Sequence, residues 1–313
     1  MAARSFRQIN YSTRPAKTIE RKMLAEALSR LAPFGAVADY RYIGFGGTFF
    51  SDFVLFHKAL NITRLISIER HANKRQRFEL NQPFRCIQLD FRESNDALPR
   101  LPWDIRTIAW LDYDSKLTNS VLFDARMFAS NAVPGSVLIL TVNVHPGKYD
   151  EPKVDPLKKR IVDMDKVPTN LQDKDLEDWG LSDVSRKIIT NEILESLGYR
   201  SAGGATDIRY QQLFHFRYRD NARMLTVGGI LYDEGQTHLL HQCAFDRLEF
   251  YRPDDEAFEI PVPNLTLREI RYLDRKMPAP SAADVFAPGI PERDIENYMK
   301  VYRYFPAFVD AEL

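Results

Sequence analysis

"YRYIGFGGTFFSDF", residues 40–53, sets Gly44 and Gly46 two positions apart, with Gly47 directly after, between an apolar run and a segment of helical period. A strand that ends in glycines and turns into a helix suits a nucleotide-binding α/β unit. Residues without a Cβ let the backbone approach a ligand, and the amides of the turn can donate to it. Behind the turn, Phe49, Phe53, Phe56 and Leu60 recur at helical spacing, and Asn61 is a suitable stop. The alternation continues. "ITRLISIE", "FRCIQLDF", "IRTIAWLDYD" and "GSVLILTVNV" read as strands two to five. Between them lie a charged helix "HANKRQRFEL", a helix from Arg92 to Leu101, and "NSVLFDARMFASN" with Val121, Leu122, Ala125, Phe128 and Ala129 on one face. Continuous apolar strands joined by helices predict a parallel sheet covered on both faces, a doubly wound α/β fold.

The pattern changes after residue 147. Residues 148–181 are charged and punctuated by proline, which predicts a surface excursion inserted in the sheet domain. "LSDVSRKIITNEILESLGY" restores a helix that Ser182 or Asp183 can cap, and "RYQQLFHFRYRD" with "ARMLTVGGILYDE" reads as an antiparallel hairpin turning at Asp220-Asn221. The expected organisation is an N-terminal helical extension over 1–35, with a helix starting at Pro15, a sheet domain over 36–232, and a mostly helical, acidic C-terminal extension over 233–313. In that last part Ile295, Tyr298 or Met299, Tyr302 and Phe305 share a face that suits packing on the sheet domain, and the extension is the candidate surface for a protein partner.

Composition narrows the function. The 313 residues carry 43 Lys plus Arg against 43 Asp plus Glu, so no global field draws the chain to polyanions, and no strong nucleic-acid signature is present. Arg64, Arg70, Lys74, Arg75, Arg77 and Arg85 read as a solvated helix face, with an RNA- or phosphate-contacting edge as the other reading. Two distant cysteines, Cys86 and Cys243, exclude a disulfide scaffold and a Cys-x-x-Cys zinc site. No apolar run reaches the roughly 20 residues of a membrane span, so the expectation is a cytoplasmic protein without membrane contact.

In a doubly wound sheet, ligands bind beyond the carboxyl ends of the strands. Those ends hold Gly44 to Gly47, then Glu69, then Asp90-Phe91, then Asp112-Tyr113-Asp114, then Asn143. A carboxylate 22 residues beyond Gly47 can accept from two ribose hydroxyls. An acid after strand three can accept from an adenine amine, with its aromatic neighbour against the base.

In this order the chain resembles the class I S-adenosylmethionine-dependent methyltransferases over about residues 36 to 232, and its whole length resembles bacterial proteins labelled "putative O-methyltransferases". The resemblance implies a Rossmann-like sheet with S-adenosylmethionine as cofactor. It also implies that Gly44, Gly46 and Gly47 meet the methionine part, that Glu69 binds ribose, and that Asp90 with Phe91 meets adenine. Two positions depart from it. Tyr42 stands where that family has an acid two residues before its first glycine, and Thr48 replaces the third glycine. Methionine-end recognition is then expected from Asp39, Asp52 or the N-terminal "RPAKTIERK", whose helix reads either as a lid over the cofactor or as packing.

Candidate catalytic residues are Asp112, Tyr113 and His145. Asp112 fits a general base, a metal ligand, a contact to the sulfonium or a helix cap. Tyr113 and His145 fit proton acceptors, with a loop role as the alternative for His145. Catechol-type enzymes hold magnesium on aspartates of strands four and five plus an asparagine. Here Asn143 is present, but Val142 stands at the partner acid, which predicts a metal-independent site. The Asn/Asp-Pro-Pro-aromatic signature of adenine methylation is absent from Asp112-Tyr113-Asp114. The leading expectation is methyl transfer to an oxygen or nitrogen acceptor. The rivals are a non-catalytic cofactor-binding module and an NAD-dependent oxidoreductase, against which the terminal hairpin counts.

Overall fold

A computed structural model describes residues 14–145, 154–161, 164–203, 207–220 and 222–306. Five parallel strands form the first half of the sheet: β1 (Arg41–Gly44), β2 (Arg64–Ile68), β3 (Ile87–Asp90), β4 (Thr107–Asp112) and β5 (Val137–Asn143). The hairpin β6 (Ile208–Arg219) and β7 (Arg223–Asp233) completes it with the two-residue β8 (Phe258–Glu259). The order is β3-β2-β1-β4-β5-β7-β6-β8, with β7 antiparallel between β5 and β6. The sheet is therefore doubly wound, as the strand pattern predicts, and its order reverses between β1 and β4.

The continuous apolar strands divide their residues between two faces. Tyr42, Leu65, Ile108, Trp110 and Ile139 belong to one core; Ile43, Ile66, Ala109, Leu111 and Leu138 belong to the other. Helices α1 (Pro15–Ser29) and α2 (Ser51–Leu60) lie against each other, and their buried residues share the first core with Phe78 of α3 (Arg75–Asn81). The second is covered by α4 (Ser94–Ala97), α5 (Asn119–Asn131), α6 (Val154–Arg160) and α7 (Gly180–Ala202). Asn61 ends α2 in the left-handed conformation, as expected of a C-terminal asparagine.

Several expectations are corrected. Phe49 stays outside α2 and 41% exposed, whereas Phe50, at φ 49°, is buried. The helix expected over 92–101 is one turn of α4 followed by a 3-10 turn over Leu98–Arg100, because Pro99 cannot donate into a longer helix. Neither Ser182 nor Asp183 caps α7, which starts at Gly180; Ser182 is buried and Asp183 pairs with Arg217. The insertion is more than a surface excursion, since Val154, Leu157, Ile161, Val167 and Leu176 are buried in the second core.

The C-terminal part is not mostly helical. Its helices α8 (Thr237–Gln242), α9 (Leu267–Asp274) and α10 (Glu292–Val301) are short and separated by irregular segments that contain Pro253, Pro261, Pro263, Pro278, Pro280 and Pro288. Ile295 and Tyr298 form a small cluster with Leu273 and Val285, while Val301, Phe245, Phe250 and Phe258 join the first main core. Residues 1–13, Pro146, the start of the insertion (148–153) and Asn221 of the hairpin turn lie outside the described residues.

Candidate active site

At the carboxyl end of β1, where strand order reverses, a cavity of about 290 Å³ opens between the ends of β1, β2 and β4 and helix α1. Gly46, Gly47, Glu69, Asp112 and Tyr113 line it, together with Arg21, Phe45, Phe49, Asp52 and Phe78.

The turn and Glu69 are built as one unit. The Gly47 amide donates to Glu69 Oε1 at 3.0 Å, the Ser67 hydroxyl donates to the same oxygen at 2.7 Å, and the Gly46 amide donates to Ser67 Oγ at 3.0 Å. Ser67 stands two residues before Glu69 on a strand, hence on the same face, and that alternation is the signal that would have found it. Burial pushes the Glu69 carboxyl up to about 7, with the Ser67 and Gly47 bonds opposing the rise.

The three glycines differ in their reasons. A Cβ on Gly44 would lie 2.6 Å from the Tyr42 hydroxyl, and one on Gly46 would lie 2.5 Å from the Phe50 ring. Both close approaches are to the protein's own side chains, and Gly44 does not line the cavity. Gly47, at φ +56°, has nothing within 4 Å of its Cβ position. It is the glycine open to a ligand.

Asp90 and Phe91 do not line the cavity. Arg92 clamps Asp90 through Nε at 2.6 Å and a second, shorter bond from Nη2, while the Arg75 guanidinium lies 4.2 Å from the Phe91 ring centre. Arg92, Glu93 and Ser94 reach the cavity in their place, with Phe78 as the aromatic wall on that side. The segment that begins two residues beyond the strand end, not the strand end itself, faces the cavity there.

Asp112 ends β4 with its carboxylate facing α1. Lys17, buried, places Nζ 2.9 Å from Asp112 Oδ1, 2.7 Å from Glu20 Oε2, 3.2 Å from the Tyr218 hydroxyl and 4.5 Å from the centre of the Trp110 ring. Behind it, the Trp110 indole donates to Thr141 Oγ1 at 3.0 Å, Thr141 and Thr226 hydroxyls share a bond at 2.7 Å, and Thr226 donates to Glu20. Thus α1 is packed structure that also contributes Lys17 and Arg21 to the site. A helix that buries charge reads as a solvent-facing one, so only the common face of residues 17 and 21, four apart, hinted at it.

Tyr113 offers the cavity its ring, edge-on to Phe45 with centroids 5.1 Å apart, and donates its hydroxyl to the buried Asp124. Burial and the Asp124 charge hold the phenol well above its usual range, so Tyr113 is a wall and not a proton acceptor. His145 lies outside the cavity. Its amide is held by Asn143 Oδ1 at 2.8 Å, and desolvation with the cations Arg223, Arg219 and Lys116 lowers its affinity for protons. Asp39 is at the opposite end of the sheet beside Arg64, its side chain 78% exposed, and has no part in the site. Among the described residues, no group of three or more His, Cys, Asp or Glu side chains could hold a metal ion.

The strand order and a glycine turn joined to a β2 acid define a Rossmann-like sheet of the methyltransferase kind. The chain belongs to the family described as "Putative O-methyltransferase", whose model matches residues 9–313. Solved structures similar to it include Trm1 from Pyrococcus horikoshii with S-adenosyl-L-methionine, at 10% identity and a TM-score of 0.44 over 69% of this chain and 56% of that one. Another is the N-methyltransferase NodS from Bradyrhizobium japonicum with S-adenosyl-L-homocysteine, at 9% identity and a TM-score of 0.39 over 70% and 89% of the two chains. A third is human N-acetylserotonin methyltransferase with S-adenosylmethionine, at 9% identity and a TM-score of 0.33 over 68% and 55%. The chain thus spans little more than half the length of the first and third. Comparison with curated sequences gives no match.

Proposed function

We propose that this methyltransferase uses S-adenosylmethionine and transfers its methyl group, without a metal ion, to an oxygen of an acceptor. The observation that carries this is the Gly46–Gly47–Ser67–Glu69 unit at the mouth of the cavity. The residues suit a nucleoside. Glu69 is a buried carboxylate on the cavity wall, Gly47 leaves room for a close approach, and Phe45, Phe49 and Phe78 supply aromatic rings. When bound, S-adenosylmethionine supplies a methyl on a positively charged sulfur with a neutral thioether as leaving group. The protein's part is then to hold an acceptor in line, which can contribute much of the acceleration.

Asp112 is the carboxylate on the cavity wall that would take the acceptor's proton, with Lys17 fixing its position. Metal independence is supported by the same pair. An ammonium already stands against Asp112, Val142 lacks a carboxylate, and Asn143 is committed to the His145 amide. The family description favours oxygen over nitrogen as the acceptor atom.

Calorimetry with adenosylhomocysteine and with NAD tests the reading. Binding of the first and not the second is expected, with Glu69→Ala weakening it by at least about tenfold through loss of charge-assisted bonds. Binding of NAD alone would replace the reading with an oxidoreductase. Methyl transfer, once an acceptor is in hand, is expected to continue in EDTA; loss that magnesium restores would overturn the metal-free part.

A further inference from the structure

Beyond Asp112 the rim of the cavity leads away from the glycine turn, along the carboxyl ends of β4 and β5 to the start of β7. Two backbone bonds fix that path. The Asn143 amide donates at 3.0 Å to the carbonyl of Ser115, which lines the cavity, and the Val144 amide donates to the Arg223 carbonyl at 2.9 Å. Arg223 opens β7 directly opposite Arg219, the last residue of β6, so the two side chains leave the same face of the hairpin. With β5 between them, and strands spaced about 4.8 Å apart, the start of β7 stands roughly 10 Å from the end of β4.

The charges gathered there are of one sign. Arg223, Arg219 and Lys116 all act on the His145 imidazole. Two neighbouring acids are engaged elsewhere: Asp220 meets Arg14 Nε at 3.1 Å and the Ala16 amide at 3.2 Å, and Asp183 pairs with Arg217. A third, Asp114, lies on the cavity wall itself. Arg223 is held without being neutralised. Its guanidinium lies 5.5 Å from the centre of the Trp179 ring and donates to the Asp178 carbonyl. Beside it, His145 Nδ1 is buried with no hydrogen-bond partner among the described residues. Cations collected at one rim draw an anion to it, and a guanidinium fork fits a carboxylate or a phosphate equally well.

We propose that the methyl acceptor is an anion, a small molecule that presents its oxygen to Asp112 and a carboxylate or phosphate group to Arg219, Arg223 and His145. The two arginines supply the charge. The imidazole, kept neutral by its cationic neighbours, can supply one N–H through Nδ1. This inference rests on the methyl-transfer reading given above, which puts the cofactor on the glycine side of Asp112 and leaves the β5–β7 side to the acceptor. Specificity would then be set by the distance between the methylated oxygen and the anionic group.

The test uses inorganic phosphate and acetate as probes on the full chain with adenosylhomocysteine present, against sodium chloride of equal ionic strength. Thermal melts read binding, and proton NMR of the histidine rings reads its place, the His145 signal being the one lost in His145→Gln. A saturable rise in melting temperature with a shift of the His145 signal is expected at about 1–10 mM anion, and the tighter probe names the group. Arg219→Gln combined with Arg223→Gln should weaken that binding at least about tenfold. Arg77→Gln, on the exposed basic face of α3, should leave it within about twofold. If the double variant fails to fold, Arg219→Gln alone, at an exposed position, should still weaken it about threefold or more. No saturable response to either anion while adenosylhomocysteine binds overturns the anionic acceptor and leaves the methyl-transfer reading standing. A response lost in Arg77→Gln and kept in the arginine variants overturns it as well. Absence of adenosylhomocysteine binding sinks the methyl-transfer reading, and the assignment to an acceptor with it, even where phosphate still reaches His145.

Discussion

Glu69 holds a proton well above the usual carboxylate range because the fold has taken its water away. The raised value has two consequences of opposite sense. Between about pH 4.5 and 7 the folded chain keeps a proton that the unfolded chain releases, so stability falls as pH rises through that window, by up to about 3 kcal/mol from this residue. A ligand that donates to the carboxylate needs the ionised form, so its affinity falls as pH drops below about 7. Methylthioadenosine, which has no group titrating near neutrality, should bind about tenfold more weakly at pH 6 than at pH 8. Glu69→Gln should flatten that dependence. A flat profile in the wild type would remove Glu69 from the ligand's acceptors. At this scale the sequence was legible wherever a strand end faced the cavity directly, as at Gly46, Gly47, Glu69 and Asp112. It misled at Asp90, where Arg92 two residues on takes the carboxylate, and at Tyr113, whose hydroxyl finds Asp124 eleven residues away on α5. Neither partner can be read from spacing alone.

Helix α1 is the element whose role was least visible. Lys17, Glu20 and Arg21 would ordinarily mark a face in water, yet here they turn inward beneath the ends of β4, β6 and β7. Lys17 compensates two carboxylates at once, Glu20 and Asp112. Lys17→Met leaves Glu20 buried without its cation and should destabilise the protein by about 3–5 kcal/mol. Lys17→Met combined with Glu20→Gln should recover much of that loss, because no uncompensated charge then remains inside. Urea denaturation of the two variants measures both effects. An unchanged midpoint in Lys17→Met would mean that the ion pairs contribute nothing net. By contrast, β1 to β5 and α5 were legible because each is apolar on a full face or on both. The insertion was not, since the helical spacing of Val154, Leu157 and Ile161 lasts barely two turns among charges and Pro156, and Val167 stands outside it.

For the whole molecule, the boundary drawn at residue 232 cuts through the packing. Phe245, Leu248, Phe250, Phe258, Ile260 and Val301 belong to the same core as Tyr42 and Trp110, and β8 pairs with β6. A chain ending at residue 233 should therefore lack a cooperative thermal transition and fixed near-ultraviolet circular dichroism. A sharp melt in that fragment would restore an independent sheet domain. The doubly wound core was legible throughout; the C-terminal part, short of period and rich in proline, was not. The placement of β7 reaches further, into how the protein is made. Strand β5, all but its last residue buried, pairs with β4 on one side and finds its second neighbour only when β7 emerges about 90 residues later. At ribosomal speeds of about 5–20 residues per second, that is roughly 5–18 s during which "VLILTV" has an open edge. The nascent chain must pass through this interval with one edge of an apolar strand open, so its yield in a cell depends on what covers that edge of β5 before the hairpin arrives.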